Sequence, residues 1–148
     1  LPILLESLAK LVSRYPDLEL TVVGDGSDRA NLEALTDSLQ LRSHVKFVGY
    51  QSQTEVRQQF QQTDIFVMAS FAEGVPVVLM EAMAAGVPVV ATQIAGVSEL
   101  VEHDRNGYLV PAGDAETLAD LIGELVQDAE LRSRFGTAGR AKVTADFN

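Results

Sequence analysis

Hydrophobic positions along the chain follow two alternating periods. Leu4, Leu5, Leu8, Leu11 and Val12 recur at helical spacing, with Pro2 tolerable in the first turn and Tyr15-Pro16 as a stop, and this predicts an opening helix. Four short runs rich in β-branched and aromatic residues read as buried strands: Leu18 to Val23, Val45 to Val48, Ile65 to Met68 and Val87 to Ala91. Helical stretches separate them at about Asp28 to Leu39, Thr54 to Gln62 and Val75 to Ala85. Tyr108 to Val110 adds a short strand, Leu118, Leu121, Ile122, Leu125 and Val126 form a helical stripe, and a last helix runs from about Glu130 to the end. Alternation of this kind predicts a doubly wound α/β fold, with a parallel sheet, right-handed crossovers and helices on both faces. Such a unit normally opens with a strand, whereas this chain opens inside an amphipathic helix. The expectation is therefore one domain, residues 1–148, cut from something larger and lacking its first strand.

Composition narrows the function. The 148 residues suit one domain that buries roughly two-thirds of its unfolded surface without covalent staples. No apolar run reaches the roughly 20 residues of a membrane span, and the first residues lack the basic start of a signal peptide, so the chain reads as soluble. A net charge of -10, from 11 basic and 21 acidic residues, argues against nucleic acid as a partner. With no Cys and two His, neither a thiolate site nor a His-based metal site is expected, and no cofactor is implied. An apolar content of 47% with 22% charged residues excludes disorder.

Ligands of open parallel sheets sit beyond the carboxyl ends of the strands, which directs attention to three segments. Gly24-Asp25-Gly26-Ser27-Asp28-Arg29 follows the first predicted strand; its two glycines permit a tight turn and close backbone approach, but Arg29 replaces the third Gly of a dinucleotide fingerprint. Asp28 or Ser27 capping the next helix explains the polar residues equally well. The second segment, Ser70 to Gly86, follows the strand Ile65 to Met68. Gly74 permits unusual backbone angles and Pro76 falls in the first helical turn, so free N–H groups near Gly74 and Val75 face an anion site. The helix is then apolar nearly all round apart from Glu81, a carboxylate that needs a partner there. With Glu73 at the mouth of the same cleft, the pair suits hydroxyl-rich ligands; the plain alternative is a first-turn Glu and a Glu reaching to the surface. The third segment is Val48-Gly49-Tyr50, where a flat aromatic at a strand end can receive a nucleobase or simply cap a core edge.

Glu73-Gly-Val-Pro-Val-Val-Leu-Met-Glu81-Ala-Met-Ala-Ala-Gly-Val-Pro-Val-Val-Ala-Thr92, followed by Ala95-Gly96-Val-Ser-Glu99, resembles the E-x7-E core of the family 4 retaining glycosyltransferases of GT-B architecture. Gly24-Asp25-Gly26 with Arg29, Phe47-Val48-Gly49, Asn106-Gly107-Tyr108-Leu109-Val110 and Asp114 with Leu118-Ala119 stand where that family has comparable motifs, so the resemblance covers nearly the whole chain. It implies a Rossmann-like C-terminal domain that binds a nucleoside diphosphate sugar of the UDP or GDP type. Carried over, Glu73 contacts the donor sugar as the catalytic residue, the Gly74 and Val75 amides meet the diphosphate or sugar, Glu81 holds ribose hydroxyls, Gly24 lines the donor site, and Val48, Gly49 and Tyr50 border the base. The family's acceptor-binding N-terminal domain, and the Arg and Lys that answer the diphosphate charge, have no counterpart in this sequence. The resemblance thus implies the donor half of a hexosyltransferase, inactive alone, from a cytoplasmic parent that can sit peripherally at the membrane. The competing readings are another GT-B enzyme, such as a glycogen or starch synthase or a sugar-nucleotide epimerase, and a noncatalytic nucleotide-binding or regulatory module of the same fold. A response-regulator receiver is disfavoured because no paired acidic residues end a first strand. His44 and His103 read as solvated or capping, Met80 and Met83 as core filler, Gln58 to Gln62 as a solvated face with Phe60 inward, and Glu99 as the cap of a short helix.

Overall fold

The computed structural model describes residues 1–24, 28–69 and 77–147. Its elements are α1 (Pro2–Leu11), β1 (Leu20–Val23), α2 (Arg29–Ser38), a 3-10 turn (Arg42–His44), β2 (Val45–Gly49), α3 (Gln53–Gln61), β3 (Phe66–Met68), α4 (Val77–Ala84), β4 (Val89–Thr92), β5 (Gly107–Val110), α5 (Ala115–Val126) and α6 (Ala129–Phe147). All strand pairs are parallel: β1 on β2, β3 on β4, and β4 on β5.

β4 is the organising strand. Its four residues are all buried, because β3 and β5 flank it and helices cover both of its faces. Successive side chains point to opposite faces. Val90 enters a cluster with Leu4 and Leu11 of α1, Leu118, Ile122 and Leu125 of α5, Tyr108 and Phe135. Val89 and Ala91 enter the second cluster, with Phe60 of α3, Leu79, Ala82 and Met83 of α4, and the loop residues Val97, Leu100 and Val101. These two cores make the fold doubly wound. Tyr108 and Phe135 meet edge to face at 5.0 Å in the first core, tying α6 to β5. Ser7, fully buried in α1, donates within reach of both Ile3 O (3.0 Å) and Ala115 O (2.8 Å), which fixes α1 against the start of α5.

The strands form a pair, β1-β2, and a triple, β3-β4-β5, where the sequence predicts one sheet. A strand joins its neighbour only through a shared ladder, and among the described residues no strand stands between β1 and β3. Leu20 of β1 and Val67 of β3 nevertheless lean on the same core cluster, so the two sheets share one interior. The strand predicted to begin at Leu18 begins at Leu20, the first residue paired with β2, while Leu18 O accepts from His44 Nδ1 at 2.9 Å.

Candidate functional site

The carboxyl ends of β1 and β2 are joined. Gly24 N–H donates to Gly49 O at 2.8 Å, and a register slip between Val22 and Val23 brings Val23 beside Gly49. Gly24 and Gly49 have φ of +118° and +71°, the left-handed region that favours glycine, so both turn the chain off the sheet at the same corner. Arg29, at the start of α2, closes this corner from one side. Its guanidinium lies 5.8 Å from the Phe47 ring centroid and 3.5 Å from Glu33, and a Cβ on Gly49 would come within 3.5 Å of Arg29 Nη1. The structure thus brings the first and third predicted segments together at Gly24 and Val48-Gly49-Tyr50. Tyr50 does not cap a core edge: beyond the Gly49 turn its side chain is 83% exposed, while Val48 is half-buried.

Next along the chain, α3 opens on a capping box. Ser52 Oγ accepts from Glu55 N–H at 3.2 Å, and the Glu55 carboxylate accepts from Ser52 N–H at 2.9 Å, satisfying two otherwise unpaired donors. The bond from Ser52 N–H, followed by the Ser52 side chain, holds the Glu55 carboxyl below its usual range. Gln53, the first residue of α3, reaches across to α4, where its Nε2 donates to Glu81 Oε2. Glu81 is half-buried on a helix whose other inward residues are Leu79, Ala82 and Met83, so the partner its burial requires is an amide. Sequence reasoning missed Gln53; the capping pattern Ser52-x-x-Glu55 immediately before it was the available signal, because it fixes where α3 starts.

α4 ends in a Schellman motif. Gly86, at φ +78°, donates to Met83 O at 3.0 Å and Val87 donates to Ala82 O at 3.1 Å, which pairs two terminal carbonyls and fixes the helix that carries Glu81. Glu73, Gly74, Val75 and Pro76 lie outside the described residues, as do Asp25, Gly26 and Ser27. Val23, Tyr50, Val77 and Val78 are the exposed large hydrophobic residues among those described: Val23 closes β1, Tyr50 follows β2, and Val77 and Val78 open α4. Gln51 Oε1, beside Tyr50, is buried and accepts no hydrogen bond among the described residues.

Other singled-out residues have structural employment. Asp28 stands at the N-cap of α2 but makes no capping bond; its carboxylate accepts from Asn31 Nδ2 at 3.3 Å instead. Glu99 begins no helix, because residues 95–100 form successive turns closed by bonds such as Leu100 N–H to Val97 O, and its side chain is exposed. His103 Nδ1 accepts from Leu109 N–H at 3.0 Å, pinning the turn before β5. Asp114 caps α5, accepting from Thr117 N–H at 3.0 Å and from its hydroxyl at 2.6 Å, and these bonds hold its carboxyl low. An open groove of about 610 Å³ lies between α1 and the start of α5, lined by Glu6, Lys10, Asp114 and Glu116, with neither Glu81 nor Tyr50 in its wall. Among the described residues no group of three His, Asp or Glu could hold a metal ion, and no helix is long and apolar enough to cross a membrane.

The family described as Glycosyl transferases group 1 matches residues 1–142. Over 136 residues the chain is 36% identical to the amylovoran biosynthesis glycosyltransferase AmsK of Erwinia amylovora, covering 88% of this chain and 33% of that protein. The chain thus spans about a third of that curated relative's length. Among solved structures, the C-terminal domain of the group 1 family protein LpcC from Francisella tularensis superimposes with a TM-score of 0.90 at 28% identity, over 99% of this chain and 78% of that one. HepE of Anabaena, crystallised in complex with UDP-glucose, gives a TM-score of 0.90 at 30% identity, over 99% of this chain and 40% of that one. With a family match across nearly all of its length and the same fold as C-terminal domains of its members, this chain belongs to the group 1 glycosyl transferases of GT-B architecture.

Proposed function

We propose that the chain is the donor-binding half of a retaining hexosyltransferase, which moves a sugar from a nucleoside diphosphate sugar of the UDP or GDP type to an acceptor hydroxyl. The observation that carries this reading is Glu81, a carboxylate on an otherwise apolar helix held by the neutral amide of Gln53, which opens α3 four residues after β2 ends. A carboxylate accepts hydrogen bonds and donates none, so it suits a ribose diol. In this reading Glu81 takes the ribose hydroxyls, Gly24, Val48, Gly49 and the exposed Tyr50 ring border the base, and the Gly74 and Val75 amides meet the diphosphate at the start of the α4 segment. Glu73 faces the donor sugar, where a carboxylate matters most as positive charge develops at the anomeric carbon. Complexes of HepE with UDP and with UDP-glucose support a nucleotide sugar as the ligand class.

The acceptor site belongs to a preceding domain, and a further parallel strand joins the β1-β2 pair to the β3-β4-β5 triple. The LpcC domain, of which this chain covers 78%, is longer by enough for such a strand. The whole enzyme works in the cytoplasm, peripherally at the membrane. Amide resonances of this chain titrated with UDP, GDP and UDP-glucose test the donor site. Shifts are expected at Gly24, Val48 to Tyr50 and around Glu81; shifts confined to the Asp114 groove, or none at millimolar nucleotide, would overturn the site. With the preceding domain attached, transfer should occur with retained anomeric configuration, read from the product's anomeric proton coupling, and inversion would refute the retaining mechanism. Acceptor-dependent release of nucleoside diphosphate by this chain alone would refute its role as half an enzyme.

A further inference from the structure

Gln53 sits at a helix start that is fixed from both sides by the Ser52–Glu55 capping box, and from that point its side-chain amide spans to Glu81 on a different helix, 28 residues away in sequence. The bond gives the half-buried Glu81 carboxylate a partner from an exposed side chain, Gln53, on another helix. Its consequence is orientation. A carboxylate offers about four lone-pair positions, and the donor on Oε2 is the one hydrogen-bond partner of Glu81 among the described residues, leaving Oε1 and the second lone pair of Oε2 without a partner among them. The donor is also neutral. Lys or Arg at this place would cancel the carboxylate's charge, whereas an amide leaves it available for charge-assisted bonds to an incoming hydroxyl.

We propose that Gln53 is a positioning residue for the donor nucleotide: it holds the Glu81 carboxylate so that its open lone pairs face a vicinal diol. This rests on the reading of Glu81 as the ribose acceptor. Titrations of wild-type chain, Gln53→Ala, Gln53→Glu and Glu81→Gln with UDP and with 2′,3′-dideoxy-UDP test it, because the two probes share base and diphosphate and differ only in the diol. Gln53→Ala should weaken UDP about three- to tenfold and leave dideoxy-UDP unchanged. Gln53→Glu places two carboxylates on one site, so at neutral pH the preference for UDP over dideoxy-UDP should collapse.

Equal loss for both probes in Gln53→Ala, or no loss for either, overturns the positioning role. The ribose reading survives that result if Glu81→Gln still abolishes the preference for UDP. A wild-type chain that binds the two probes equally overturns both. Melting curves of each variant check that the fold persists, as expected for the exposed Gln53 and for a Glu81→Gln change that keeps the side chain's size.

Discussion

Two glycines on α6, three residues apart, should respond oppositely to the same substitution. Gly136 packs on the turn that ends α4, and a Cβ there would stand 2.1 Å from Gly86 O and 3.0 Å from Gly86 C. Those atoms are backbone, locked at φ +78° by the Schellman bonds, so the clash can be relieved only by moving α6 off α4. Overpacking of this kind costs about 1–3 kcal/mol and the better helix propensity of Ala returns about 1 kcal/mol, so Gly136→Ala should destabilise the domain by up to about 2 kcal/mol. At Gly139 the nearest atoms to a new Cβ, Asn106 O and Met83 Cβ and Cε, are all 3.7 Å away, an ordinary contact. There only the propensity gain operates, and Gly139→Ala should stabilise by about 0.4–1 kcal/mol. For a domain of this size the first change lowers Tm by several degrees and the second raises it by about 1–4 °C. Thermal unfolding with urea titrations at constant m-value measures both. A Gly136→Ala protein at or above wild-type Tm, or two shifts of the same sign, would refute the close approach of α6 to the end of α4.

Two further outcomes follow from buried polar groups. Burial, then a hydrogen bond with Glu124, pushes the Tyr108 phenol up to about 12; the unfolded chain ionises it near pH 10, so the associated stability is intact below pH 10 and disappears as pH rises toward about 12. Tyr108→Phe should remove the last phenolate absorbance step and flatten the alkaline loss of Tm, and an unchanged titration would contradict the burial. Asn106, 2% exposed, donates to Leu100 O at 3.1 Å and accepts from Glu102 N–H at 2.8 Å. Asn106→Ala strands both backbone groups and should cost about 2–4 kcal/mol in denaturant unfolding; a loss below about 0.5 kcal/mol would show that these groups find other partners.

The parallel, doubly wound layout was legible because the strands announce themselves: Val89 and Val90 are β-branched and, with the apolar Ala91, prove buried on both faces. Positions set by local chemistry were legible too, such as the inward Phe60 among the glutamines of α3 and the core place of Met83. Features decided by side-chain geometry or by distant contacts were not. Nothing local distinguishes Asp28, which bonds Asn31, from Asp114, which caps its helix. Tyr50 reads equally as core edge or open ring until the φ of Gly49 is known. The amide that satisfies Glu81 comes from 28 residues away, and the approach of Gly136 to Gly86 joins positions 50 residues apart, with β4, β5 and α5 between them. Of the predicted site, Gly24, Val48, Gly49, Tyr50 and Glu81 are placed, whereas Glu73, Gly74 and Val75 fall outside the described residues.

The central claim is that the Glu81 carboxylate binds the donor nucleotide. Calorimetric titration of wild-type and Glu81→Gln chains with UDP and GDP tests it most directly, since the substitution keeps size and one acceptor but removes the charge. For whichever nucleotide the wild type prefers, the loss of charge-assisted bonds should weaken binding by roughly 1.5–3 kcal/mol, about ten- to a hundredfold, at unchanged Tm. Equal affinity in a Glu81→Gln protein that melts like wild type would contradict the assignment.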